Sequence, residues 1–145
     1  MLFRAAAVLW VIWGAVHVFA GAITLYQISA DDVAGAVGGI ASLVPPETLQ
    51  IAYPEAVVAL LWQHGWNLGW FGLVTLIGAA FVWRGHRFAI VMVSLVGGLA
   101  DLGYFLAIDL AGLAGFPGPQ MTWICAAAIA LGIAGLLQQR RAAAA

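Results

Sequence analysis

Charge is what this chain has least of. Asp, Glu, Lys and Arg together make up 8% of its 145 residues, and every basic residue is an arginine. Ordinary soluble domains carry roughly 25% charged residues. Too little charge is present to coat a surface facing water, so lipid is the expected solvent. The net charge of −1 also gives no basic footprint for nucleic acid. Cysteine is almost missing. With Cys125 alone, an internal disulfide and any CxxC metal or redox pair are excluded. No Walker loop, GxGxxG, nucleophile elbow or HExxH occurs. Soluble-cofactor enzymology therefore has no support, and no metal site is expected, zinc included.

What is present is apolar. Hydrophobic residues account for 65% of the chain and glycine for 18 positions, as suits helices whose backbones approach closely in a bilayer. Four apolar segments stand out, at about 5–28, 56–83, 88–110 and 120–138. Each suits a span of ~20 residues. Runs this long and this apolar read as membrane helices rather than strands. The expected fold is all-α, one membrane domain over 1–145 forming a four-transmembrane-helix bundle.

Arg4, Arg84, Arg87, Arg140 and Arg141 precede the first segment, separate the second from the third, and follow the fourth. The other two connections hold Asp31, Asp32 and Glu47, with Glu55 and Asp109 at helix ends. The positive-inside rule then predicts both termini in the cytoplasm. A cleaved signal peptide fits less well, because the first apolar run continues unbroken to Ile28. The outer loop, 29–54, is apolar enough for a short helix at the membrane face, capped by Asp31 or Ser29.

The stretch "LLWQHGWNLGWFGL" (60–73) sets Gln63, His64 and Asn67 inside a bilayer-compatible helix. From helix rise, His17 lies ~18 Å from the cytoplasmic end of its span, Asp101 ~20 Å, Trp70 ~20 Å and Asn67 ~24 Å. Three helices thus place polar groups at similar depth, where hydrocarbon offers no partners. The faces agree too: Trp13, His17, Gly21 and Thr24; His64, Asn67, Phe71 and Thr75; Ser94, Gly97, Asp101 and Tyr104. Turned inward, these stripes rim a buried chamber, and the polar residues of "WQHGWNLGW" are expected to look into it.

Three functions compete. The first is a pocket for a lipophilic small molecule, sterol-, isoprenoid- or quinone-like. In it His17, His64 and Asp101 would move a proton. Asn67, Gln63, Tyr104, Trp13, Trp66 and Trp70 would bind or wall the ligand. The second is a b-type haem protein with His17 and His64 as axial ligands. The third is an accessory or assembly subunit, in which these residues form an interhelical clamp toward a partner membrane subunit or a homo-oligomer. A proton or ion channel is a thinner fourth reading.

With "WGAVHVFAG" (13–21) and "QHGWNLGWFGLVTL" (63–76) in hand, the chain resembles small bacterial four-helix integral membrane proteins, the DoxX-like and small integral membrane protein groups. That resemblance implies a membrane protein over nearly the whole chain, set in a bacterial cytoplasmic membrane, and no particular activity.

Overall fold

A computed structural model describes residues 1–144. Four long helices are joined by one short turn at one end and by a longer loop layer at the other. They are α1 (Leu2–Ser29), α3 (Glu55–Trp83), α4 (Arg87–Tyr104) and α5 (Gly118–Ala144), and no strand occurs among the described residues. With the π-helical turn that extends α4, all four are long and apolar enough to cross a membrane. At 28 residues, α1 is ~42 Å long, more than a ~30 Å hydrocarbon core requires, so its ends overhang or the helix tilts.

Each expected apolar segment is helical, with one extension. The fourth was expected to be the shortest, ending near 138, yet α5 runs 27 residues to Ala144. Gln, Arg and Ala in the run after Leu137 are strong helix formers, so the helix continues past its apolar part. In α4 the regular helix stops at Tyr104, and Phe105–Asp109 form a π-helical turn. There the N–H of Leu110 donates to the carbonyl of Phe105 at 2.9 Å, five residues back.

Around the bundle the neighbours are α1–α3, α3–α4, α4–α5 and α5–α1. Hence α1 and α4 face each other across the diagonal. The α1–α3 seam is the tightest, because glycines meet there. A Cβ on Gly21 would stand 2.6 Å from the Gly65 carbonyl oxygen, and one on Gly14 2.9 Å from that of Gly72. Only glycine permits this backbone approach. On α5 the buried stripe is equally small: Cys125, Ala128, Gly132 and Gly135. Large side chains from α1, Trp10 and Trp13, fill the centre with no exposed surface. Gly97 of α4 makes room for Trp10, whose ring lies 2.6 Å from where a Cβ would be.

All five arginines collect at one end. Arg4 lies over the Trp83 ring, 5.4 Å from its centroid, while Phe3 and Gln139 both border Gly85. At the opposite, acidic end, α2 (Val33–Ile40) packs against α1. Its cap is Asp32, whose Oδ1 accepts from the Gly35 N–H at 2.8 Å, rather than Asp31 or Ser29. Asp31 occupies the left-handed turn (φ 61) that ends α1, and the Ser29 hydroxyl donates to the Tyr26 carbonyl. The loop layer is tied to the 110–117 turn, where Leu43 donates to the Leu113 carbonyl at 3.0 Å. The Gly115 N–H donates to the Ser42 hydroxyl at 2.8 Å.

Candidate functional site

The first helix carries Trp13 and His17 four residues apart, hence one above the other on one face. Their rings stack with centroids 3.6 Å apart and planes 21° from parallel. His17 Nδ1 lies 2.8 Å from the Trp13 carbonyl oxygen. A carbonyl only accepts, so Nδ1 must carry a hydrogen. Its other nitrogen, Nε2, therefore faces outward from α1, toward α4.

There it meets Asp101. This carboxylate is 5% exposed and is held from two sides. The Trp13 indole N–H donates to Oδ2 at 2.7 Å, the short distance of a charge-assisted bond. His17 Nε2 stands 3.8 Å from Oδ1, too far for a direct hydrogen bond and close enough for strong electrostatic coupling. With Nδ1 protonated, two lone pairs would oppose each other across that gap. A proton on either the imidazole or the acid would relieve that opposition. The circuit closes on itself: Trp13 indole to Asp101, Asp101 to His17, His17 back to the Trp13 carbonyl.

Two members of this neighbourhood were not foreseen as such. Trp13, expected as an aromatic wall, is the hydrogen-bond donor to the acid. A buried indole seeks a partner for its N–H, and the only carboxylate in mid-helix was the available signal. Cys125, 2% exposed, adjoins the same carboxylate and lies beside the Gly97–Trp10 contact. The hydroxyl of Ser94, on the expected inward stripe of α4, is buried there without a hydrogen-bonding partner.

The expected chamber is only partly assembled. His64 lies half-buried on α3, within electrostatic reach of His17. Asn67, also half-buried, accepts from the Trp70 indole N–H at 3.1 Å, a bond within its own helix. Trp66 and Trp70 do not wall the site with Trp13: they are 56% and 39% exposed. Gln63 is exposed as well. The reason is the seam with α1. Gly65, Gly72, Thr75, Ala79 and Val82 form the buried face of α3, which turns Gln63, Trp66 and Trp70 outward. There Trp66 stacks on Trp62 with planes 3° apart. Tyr104 also departs from the site. Its hydroxyl donates to the Ile40 carbonyl at 3.3 Å and so fastens α4 to α2.

Haem does not fit the two histidines. His17 and His64 sit on α1 and α3, whose backbones touch at Gly14–Gly72 and Gly21–Gly65, on both sides of His17. A macrocycle between the helices has no room, and His17 Nδ1 is already bonded to the Trp13 carbonyl. Nor do any three His, Cys, Asp or Glu among the described residues cluster to hold a metal ion. No family model matches the chain, and neither does any curated protein or solved structure.

Proposed function

We propose that this protein is a small integral membrane protein that binds a lipophilic molecule through a polar head seated at the His17–Asp101 pair. In this reading both termini lie in the cytoplasm, the side on which the positive-inside rule favours the arginine-rich end. The observation that carries the reading is the His17–Asp101 gap. At 3.8 Å, with the two side chains 12% and 7% exposed, the pair is neither closed by a direct bond nor sealed. A hydroxyl or carbonyl oxygen of a sterol-, isoprenoid- or quinone-like ligand finds a donor and an acceptor side by side. Trp13 meanwhile holds the acid from behind. Should chemistry follow binding, it is proton exchange: the one proton of the pair passes to a ligand oxygen and returns. His64 and Asn67 on α3 provide the polar approach.

A second reading has an observation of its own. The Trp13–Asp101 bond crosses the bundle diagonal and satisfies both groups, as an interhelical clamp in an accessory subunit would. Native mass spectrometry of protein purified in mild detergent separates the two. A retained small lipophile, lost in both His17→Ala and Asp101→Ala while helical content stays constant, supports the ligand site. A ligand-free wild type that carries a fixed protein partner instead overturns it in favour of the clamp.

A further inference from the structure

At the arginine end, away from the His17–Asp101 pair, α1 and α3 leave a groove of about 430 Å³ between them. Its walls include Ala7, Val11, Leu76 and Ala80, and Trp83 and Arg84 stand at its mouth. Ala7 and Ala79, each 2% exposed, form the floor, so the groove exists because small residues occupy these positions. From Arg84 to Leu76 it runs ~12 Å along α3, inward from the charged end and into the apolar part of the helix. Arg4 of α1 does not line the groove but reaches the Trp83 at its mouth, its guanidinium over that ring. Among the described residues, no carboxylate compensates the charge here. Among these residues the one basic group within 4 Å of a carboxylate is His17, beside Asp101, and no arginine has a carboxylate partner. Five acidic residues, Asp31, Asp32, Glu47, Glu55 and Asp109, lie toward the opposite end.

A strip of apolar wall that ends in two guanidiniums beside an interfacial indole has a defined complement. We infer that the groove binds one anionic phospholipid, an acyl chain lying along Val11, Leu76 and Ala80 and the phosphate between Arg4 and Arg84. Alanine walls accept the chain. The guanidiniums select the head group by charge, and Trp83 marks the depth at which glycerol and phosphate sit.

The test offers the detergent-purified protein equimolar phosphatidylglycerol and phosphatidylcholine with identical acyl chains, and weighs the complexes by native mass spectrometry. One phosphatidylglycerol should be retained in preference. That preference should fall about five-fold for each of Arg4→Gln and Arg84→Gln. Ala80→Phe, which fills the groove and leaves both arginines in place, should release the lipid; circular dichroism verifies that each variant keeps its helices. Equal retention of the two lipids, a preference that survives loss of both arginines, or binding undisturbed by Ala80→Phe would overturn the inference. So would displacement by soluble glycerol phosphate at matched concentration, because the head group alone would then suffice.

Discussion

Trp13 and Asp101, 88 residues apart in sequence, are joined by a 2.7 Å hydrogen bond from indole N–H to carboxylate. It spans the diagonal of the bundle, between helices that share little backbone contact. The seams of the bundle are made by small residues. The diagonal is made by this bond and by the Trp10 ring set against Gly97.

Breaking one side of this bond should cost more than removing both. Trp13→Phe leaves Oδ2 of Asp101 buried without its donor, and Asp101→Leu leaves the indole N–H unpaired. In a double-mutant cycle measured by unfolding in mixed micelles, the expected coupling is about 1–2 kcal/mol, the upper range for interhelical hydrogen bonds in bilayers. Additive single effects would show that the two groups stabilise the bundle separately.

The α1–α3 seam makes a sharp contrast between glycines. Gly21→Val drives a side chain into the Gly65 carbonyl, 2.6 Å from the new Cβ, and should destabilise by ~3 kcal/mol or more. A Cβ on Gly69 meets nothing within 4 Å. Gly69→Ala should therefore stabilise by about 0.5–1 kcal/mol through backbone entropy. Thermal unfolding in detergent checks both.

The same seam predicts the response to haem. Purified protein incubated with haem should give no low-spin six-coordinate spectrum, in wild type or in His64→Ala. A bis-imidazole spectrum lost on His17→Ala or His64→Ala would mean that α1 and α3 separate more than their glycine contacts allow.

Threading can be read with a membrane-impermeant maleimide. In a Cys125→Ala background, Gln50→Cys should label from outside intact cells and Ala143→Cys only after lysis. The reverse pattern would invert the bundle.

Tyr104 fastens the loop layer through its hydroxyl to the Ile40 carbonyl. Tyr104→Phe should cost about 1 kcal/mol locally, seen as faster amide exchange in Val33–Ile40 with the four long helices unchanged. Uniform exchange in wild type and variant would place the restraint elsewhere.

The four helices were legible because apolar runs of this length have few alternatives, and the inward stripe Trp13–His17–Gly21–Thr24 because α1 packs against both neighbours. Polar residues on α3 were harder. Periodicity shows that Gln63, Trp66 and Trp70 share a side of the helix, but the side facing α1 is chosen by Gly65 and Gly72, which carry no hydrophobic signal. Tyr104 fits the α4 stripe as Asp101 does; one turn further along, it meets the loop layer instead. The cap of α2 fell one residue late because Asp31 took the left-handed turn. Sequence showed which residues needed partners, and packing decided which partners they found.

The central claim is that His17 and Asp101 form one proton-sharing site inside the bundle. It is tested most directly by nitrogen-15 NMR of ring-labelled histidine, with His64 and His86 replaced to leave His17 alone. The account predicts a protonated Nδ1, bonded to the Trp13 carbonyl, and an Nε2 resonance that moves markedly in Asp101→Asn. A bare Nδ1, or an Nε2 indifferent to that substitution, would contradict it.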